Sequence, residues 1–409
     1  MEFYDDLEQR EPALRESAQM RQLAATVRQA RSASPYYREL FAAASPIVGD
    51  RRTLAQLPLT RKSELGALQQ RSLPFGGMAQ LAPPLLSHIF VSPGPLYEPG
   101  LAGVDRWRFA RALFAAGMRP GMLVHNTFAY HFTPAGRMFE AAACALGCAV
   151  IPAGPGQVEQ QVRTIAELRP QGYVGTPSFL KLILDKGDEL GADLDSLRCA
   201  LVTGEAFPAS LRAIFAARGV AVQQCYGTAE AGLIAYESSG GEGLMLDEGM
   251  VVEIVRPGTG DPLPDGEVGE VVVTLLDPTY PLIRLATGDL SALLAGTSPC
   301  GRTAPRLRGW LGRADQSTKV RGMFVHPAQV ATIVARTPEI LRARLVVERC
   351  DDQDVLTIEA ETEVADATLS DVLTATVREV AGLRAAVRFA PPGALPNDGK
   401  VIDDRRPLP

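Results

Sequence analysis

The sequence predicts an α/β protein. A large N-terminal domain of mostly parallel sheets flanked by helices, with an antiparallel β subdomain, precedes a small C-terminal α+β domain. Three observations carry this expectation. Helical and short apolar segments alternate between about 101 and 201, the pattern turns to period two after 231, and it changes again around 313–322. At 409 residues the chain exceeds one ordinary domain. Domains over 1–314 and 315–409 follow.

Residues 5–45 are rich in Leu, Ala, Arg, Glu and Gln at helical spacing, with Leu14, Ala18, Arg21 and Ala25 marking the period. Pro12 lies near a helix start and Ser34-Pro35 is a break. Leu57-Pro58-Leu59-Thr60 reads as extended, with Thr60 as cap of a helix over 61–68. Helices are expected over 106–116, 134–147, 158–168, 177–186 and 208–217. Strands are expected over 122–126, 149–152, 173–175 and 199–203. Such alternation makes a parallel sheet with helices on both faces. Segments 250–255 and 267–276 alternate with period two across a Gly/Pro/Asp-rich connection and predict antiparallel hairpins. Further on, strands over 345–347 and 355–361 and helices over 330–337 and 367–380 form the small domain.

Hydrophobic residues make up 46% and charged residues 22%, which excludes a disordered or membrane composition. A net charge of −6 argues against nucleic-acid binding. No apolar stretch approaches the ~20 residues that span a bilayer, and no secretory signal opens the chain, so a cytoplasmic protein is expected. Cys144, Cys148, Cys199, Cys225, Cys300 and Cys350 include no CxxC pair and read as buried free thiols. His88, His125, His131 and His326 have no metal-ligand spacing, and neither GxSxG nor HExxH occurs.

Chemistry concentrates in Tyr226-Gly227-Thr228-Ala229-Glu230. Tyr226 offers a flat face to a base, and Gly227 permits an unusual backbone angle or close ligand approach. Thr228 offers a hydroxyl to phosphate, and Glu230 a hard oxygen to Mg²⁺. The competing reading is a strand end running into a surface turn. Asp289, in Thr287-Gly288-Asp289, follows an apolar run and suits a ribose diol, or equally a turn. Lys400, after Gly399, lies in a Pro/Asn/Asp/Gly-rich loop, either as a solvated tail lysine or as a mobile cation completing a site. The aromatic segment around Tyr130 and Phe132 lines a pocket or belongs to the core.

Taken in order, these pieces resemble the adenylate-forming superfamily, and within it the phenylacetate-CoA ligase family, over almost the whole chain. Tyr4–Glu8, Ser34-Pro35-Tyr36-Tyr37-Arg38 and Leu57-Pro58-Leu59-Thr60-Arg61-Lys62 look like the family's opening elements. Gly147 to Pro152, Thr176-Pro177-Ser178, Thr203-Gly204-Glu205, Tyr226 to Glu230, Thr287 to Asp289, Gly312 to Gly322 and Gly399-Lys400 match later landmarks.

The resemblance implies two half-reactions. A carboxylic acid, aromatic or related, attacks the α-phosphate of ATP to give an acyl-adenylate, the mobile small domain rotates, and coenzyme A takes the acyl group. It places Gly204, Glu205 and Tyr226 around adenine, with Gly227 beside them. Thr228 falls at the phosphate, Glu230 on Mg²⁺, and Asp289 and Arg313 on the ribose. Asp315 becomes the hinge and Lys400 the catalytic lysine. Tyr130, Phe132 and Gly204 are expected at the acid pocket. A homodimer fits the resemblance; nucleic acid and membrane do not.

Two departures stand out. The family's Ser/Thr/Gly-rich phosphate loop is replaced by residues 91–100, where only Ser92 and Gly94 correspond. Its threonines and lysine are missing, Pro93, Pro95 and Pro99 remove N–H donors, and Glu98 adds negative charge. Segment 231–248 lacks the Cys and His of zinc-bearing relatives, so no zinc is expected. Two other functions therefore stay open: transfer to a carrier-protein thiol or an amine, and a non-catalytic relative that binds nucleotide or acyl-CoA.

Overall fold

Short strands alternating with helices build the parallel part of the main sheet. The computed structural model describes residues 2–406 except 80, 82–84, 93–95, 206, 241, 317, 321–322, 326, 351–352 and 397–399. For 315, 319, 323–324, 328, 350 and 353 it describes the backbone alone. The fold is mixed α/β. Its contacts form two units: Met1–Glu267 with Val272–Thr287 and Ala292–Gly309, and Trp310–Pro409 with Val268–Val271 and Gly288–Ser291.

In the first unit a nine-stranded sheet begins with Ala149–Pro152, Leu123–Asn126, Gly172–Gly175, Cys199–Val202 and Ala221–Thr228 as parallel neighbours. Helices Ala135–Ala145, Val158–Leu168, Pro177–Leu190 and Ala209–Ala217 supply the crossovers that parallel pairing requires. Period-two alternation divides the strands between two cores. Val174 and Leu201 pack with Phe109, Leu113 and Phe139, while Tyr173, Ala200 and Val202 pack with Ile165, Leu180 and Phe215. Beyond Ala221–Thr228 the pairing turns antiparallel, through Gly232–Glu237, Leu244–Leu246, Arg306–Leu307 and Leu293–Leu294.

A second sheet runs Thr60–Arg61, Leu282–Ser291, Gly269–Leu275, Met250–Val255, with Gly269–Val271 and Gly288–Ser291 counted to the second unit. Thr60 and Arg61 pair in parallel with Leu285 and Ala286. The expected helix over 61–68 is corrected accordingly: Thr60 is a strand residue, and the α-helix is Leu65–Arg71. The helix expected over 106–116 is shorter, Ala110–Ala115. Its first turn is lost because Asp105 and Arg108 adopt left-handed backbone angles, while the Asp105 carboxylate accepts the Phe109 and Ala110 N–H groups.

Helix Pro12–Ala33 begins at the expected proline. Its buried face is Arg15, Gln19, Leu23, Thr26, Val27 and Ala30, whereas Leu14 is exposed. Polar partners decide that face: Arg15 binds Glu248 and Thr303, and Gln19 binds the Met250 carbonyl. Cys144 is exposed, so not every thiol is buried as expected; the five cysteines with described side chains are free.

The second unit has its own core. Strands Ala386–Ala390, Gln353–Glu361, Arg342–Cys350 and Ile402–Asp404 form a mixed sheet. Leu345, Val347 and Ile358 pack there with Val330 and Ile333 of helix Pro327–Arg336 and Leu373 and Val377 of helix Ala367–Ala381.

Candidate active site

The site in the first unit lies where parallel strands meet the antiparallel extension, at carboxyl ends, the usual binding edge of an α/β sheet. Gly175, Thr203 and Thr228 mark that edge. Gly204 follows with φ 88°. Glu205 accepts the Ser178 N–H at 2.6 Å, at the first turn of helix Pro177–Leu190. Thr203 Oγ1 donates to the Cys225 carbonyl at 2.7 Å, tying adjacent strands together.

Within Tyr226–Glu230 each side chain has a definite surrounding. The Tyr226 hydroxyl lies 3.4 Å from Thr287 Oγ1. Thr228 Oγ1 accepts the Ala231 N–H at 3.1 Å, which closes the turn. At Gly227 the reason for glycine differs from both sequence-derived alternatives. A Cβ there would stand 2.6 Å from the Gly232 carbonyl oxygen and 3.1 Å from Phe109, so protein packing excludes it.

Glu230 is buried, its side chain 1% exposed, and Lys62 Nζ lies 3.0 Å from Oε1 and 3.1 Å from Oε2. Glu230 Oε1 forms no geometrically sound hydrogen bond. Lys62 follows Thr60–Arg61, so the sheet register carries it to Glu230. The sequence contained Lys62 within a matched motif but offered no signal of this pairing.

On either side of 93–95, which lie outside the described residues, Leu86–Ser92 and Leu96–Leu101 pair as antiparallel strands, with Ser92 opposite Leu96 and Phe90 opposite Glu98. Gly94 lies outside the described residues. Ser92 is buried, its hydroxyl 3.4 Å from the Leu96 carbonyl. Glu98 turns inward and is 2% exposed, with both carboxylate oxygens unpartnered. Burial and the Glu230 charge push the Glu98 carboxyl well above its usual range, against an opposing pull from Lys62. The phenol of buried Tyr280 is pushed up by burial and by the charges of Glu98 and Glu230. Glu98, Lys62, Glu230 and Tyr280 therefore share one electrostatic neighbourhood.

In the second unit Asp289 pairs with Arg313 as an isolated antiparallel bridge. Arg313 Nη1 lies 3.5 Å from Asp289 Oδ1, and Trp310 Nε1 donates to the same oxygen at 3.0 Å. Gly288, at φ 78°, leaves room for the guanidinium; a Cβ would stand 2.7 Å from Arg313 Nη2. Trp310 was not among the sequence-derived candidates. Asp315 belongs to a 3₁₀ turn, Ala314–Gln316, and its side chain lies outside the described residues. Lys400 Nζ lies 3.1 Å from Asp403 Oδ1, with the lysine side chain half exposed.

Of the residues expected at the acid pocket, Phe132 is 78% exposed and has a left-handed backbone, φ 58°. Tyr130 is anchored by Asn126 Nδ2 at 2.8 Å and packs against Gly136. Among the described residues no group of three or more His, Cys, Asp and Glu is poised to hold a metal. None of their helices is long and apolar enough to cross a membrane.

The mixed α/β fold and the order of the candidate residues agree with the class of adenylate-forming enzymes, and the comparisons place the chain in it. Residues 108–274 match the AMP-binding enzyme family. The chain is 30% identical over 365 residues to a phenylacetate-coenzyme A ligase of Aromatoleum evansii, covering 84% of this chain and 80% of that one. It is 31% identical over 376 residues to the phenylacetate-coenzyme A ligase of Escherichia coli (strain K12), covering 87% and 84%. A solved 2-hydroxyisobutyryl-CoA ligase, in the postadenylation state in complex with 2-HIB-AMP, shares the fold with a TM-score of 0.80 at 24% identity, covering 97% of this chain and 91% of that one. The chain belongs to the phenylacetate-CoA ligase family and is an AMP-forming ligase.

Proposed function

We propose that this protein activates an aromatic or related carboxylic acid with ATP and transfers the acyl group to coenzyme A. The supporting observation is the Asp289–Arg313–Trp310 cluster, held on the strand that also carries Thr287. A carboxylate whose position is fixed by an indole N–H and a neighbouring guanidinium is preorganised, as a ribose-binding acid must be.

In the first half-reaction a substrate carboxylate oxygen attacks the α-phosphorus. The bond from that phosphorus to the pyrophosphate oxygen breaks, and pyrophosphate leaves. In the second, the coenzyme A sulfur, having lost its proton, attacks the acyl carbon, and AMP leaves with the electron pair of the acyl–oxygen bond. No protein nucleophile is needed, so the residues act by position and charge. Tyr226 and Gly204 flank the base, and Thr228 faces the phosphate once its turn opens to ligand. Lys400 neutralises charge developing during adenylation, and Asp315 is the hinge between half-reactions.

Glu230 suits Mg²⁺: it is a buried carboxylate, and hard oxygen donors are what that ion takes, although Lys62 holds both oxygens in this structure. When bound there, the ion would supply positive charge for the phosphates. An isotope-exchange assay between ATP and pyrophosphate tests the reading. Exchange dependent on an aryl acid is expected; exchange with aliphatic acids alone would overturn the aromatic assignment.

A second reading has one observation in its favour. The paired strands on either side of 93–95 bury Ser92 and also Glu98, an acid in the segment that stands where the phosphate loop is expected. A relative that binds nucleotide without turnover would show no exchange with any acid.

A further inference from the structure

The backbone that carries Lys400 is held from outside its own loop. Lys400 precedes Ile402–Asp404, an edge strand of its four-stranded sheet. An edge strand turns N–H groups outward, where no further strand takes them up. The Gln316 side chain meets the chain there. Its Oε1 accepts the Val401 N–H at 2.7 Å and lies 3.4 Å from the Ile402 nitrogen. Both partners are N–H donors, so this end of the amide is the oxygen. The Val401 carbonyl accepts the Leu345 N–H at 3.0 Å. Val401 is therefore gripped on two sides, by strand Arg342–Cys350 and by Gln316.

Gln316 lies 85 residues before Val401 and closes the turn Ala314–Gln316 that contains Asp315. A second tie runs beside the first. Thr318 Oγ1 donates to Asp404 Oδ2, and Arg406 Nη2 donates to Thr318 Oγ1 at 2.8 Å. At the lysine itself, Nζ donates to Asp403 Oδ1 at 3.1 Å, while Asp403 Oδ2 accepts Arg405 Nε at 2.8 Å.

We propose that Gln316 is a positioning residue for Lys400, fastening the lysine's backbone to the turn at Asp315 so that hinge and lysine move as one piece. The inference rests on the proposed roles of Asp315 and Lys400 and adds a coupling between them. A lysine that neutralises charge in a transition state must be held within roughly 0.5 Å of its productive place. A side chain half exposed to solvent gains such precision from the backbone beneath it. The amide suits the task, because it is uncharged and adds no field of its own at the ammonium.

The test uses the full-length protein. Gln316→Met keeps the side-chain length and removes the acceptor, while Gln316→Glu keeps an acceptor oxygen. Acid-dependent exchange between ATP and pyrophosphate gives kcat and the KM for ATP. In Gln316→Met, kcat should fall roughly 10- to 100-fold with KM unchanged, the scale of a misplacement by about 1 Å. Gln316→Glu should recover much of that loss. In a Lys400→Ala background Gln316→Met should add no further loss, because residues acting as a unit are not additive. Wild-type kcat in folded Gln316→Met would overturn the proposal. An equal fractional loss on both backgrounds would overturn it too, since Gln316 would then act on the fold at large. Circular dichroism separates lost rate from lost folding, and Gln316→Glu keeps the test open if Gln316→Met does not fold. Amide hydrogen exchange reads the tether without turnover. The Val401 amide should exchange about 10-fold faster in Gln316→Met, and unchanged exchange would overturn the proposal. A wild type that adenylates no acid would count against the proposed function, and amide exchange would still decide the tether.

Discussion

Trp310 Nε1 donates to Asp289 Oδ1 at 3.0 Å, and Arg313 Nη1 stands 3.5 Å from the same oxygen. The indole is 45% exposed, so its role is in the hydrogen bond more than in packing. Trp310→Phe keeps the aromatic surface and removes the donor. Hydrogen bonds to charged groups contribute about 1.5–3 kcal/mol when buried and less at an exposed position. The KM for ATP should rise roughly three- to ten-fold, by the tenfold per ~1.4 kcal/mol relation, with kcat nearly unchanged. An unchanged KM in steady-state kinetics would show that Trp310 does not position Asp289.

Lys400 should separate binding from chemistry. In Lys400→Ala, acid-dependent pyrophosphate release should fall by at least 100-fold, on the order expected when one transition-state charge contact is removed. ATP affinity by calorimetry should change little. Normal pyrophosphate release in this variant would remove the lysine from the adenylation step.

Glu8, Arg302 and Tyr236 form a buried network that includes none of the candidate residues. Arg302 Nε donates to Glu8 Oε1 at 2.7 Å and the Tyr236 hydroxyl donates to the same oxygen at 2.6 Å. The Glu8 and Arg302 side chains are 0% and 4% exposed. Removing one partner strands a buried charge, so Arg302→Met should cost about 3–5 kcal/mol of stability. A denaturant titration checks this, and a loss below ~1 kcal/mol would contradict it.

The carboxyl of Asp105 is raised to about 6, chiefly by burial, although Phe109 and Ala110 N–H groups pull it down. A raised folded value means that the folded state holds this proton more tightly than the unfolded chain does. Its contribution is therefore fullest below the unfolded value near 4 and is lost as pH rises through about 6. Asp105→Asn should flatten the stability-versus-pH curve between those limits. An identical slope in both proteins by thermal unfolding would refute the assignment.

Much of this architecture was legible in the sequence. Short apolar runs alternating with helical segments located the strands of the parallel block, because strands covered by helices on both faces read as continuous apolar runs. The buried face of helix Pro12–Ala33 was not legible, because Arg15 and Gln19 are drawn inward by Glu248 and the Met250 carbonyl, partners more than 200 residues away. The start of Ala110–Ala115 was hidden by the side-chain cap from Asp105. Among the candidate residues, Tyr226, Glu230, Asp289 and Arg313 stood out by residue type and order, and Glu98 as a charge in the altered segment. The burial of Glu98, the Lys62–Glu230 pair and the Trp310 hydrogen bond did not, since they depend on which chain segments the fold brings side by side.

The central claim is that acyl-adenylate formation precedes thioester formation on this chain. Pyrophosphate release across a panel of aryl acids, with and without coenzyme A, tests it most directly when thioester is measured in the same samples. The account predicts acid-dependent pyrophosphate release in both conditions and a thioester only with coenzyme A. Release without any thioester would contradict the acceptor, and no release with any acid would contradict the catalysis itself.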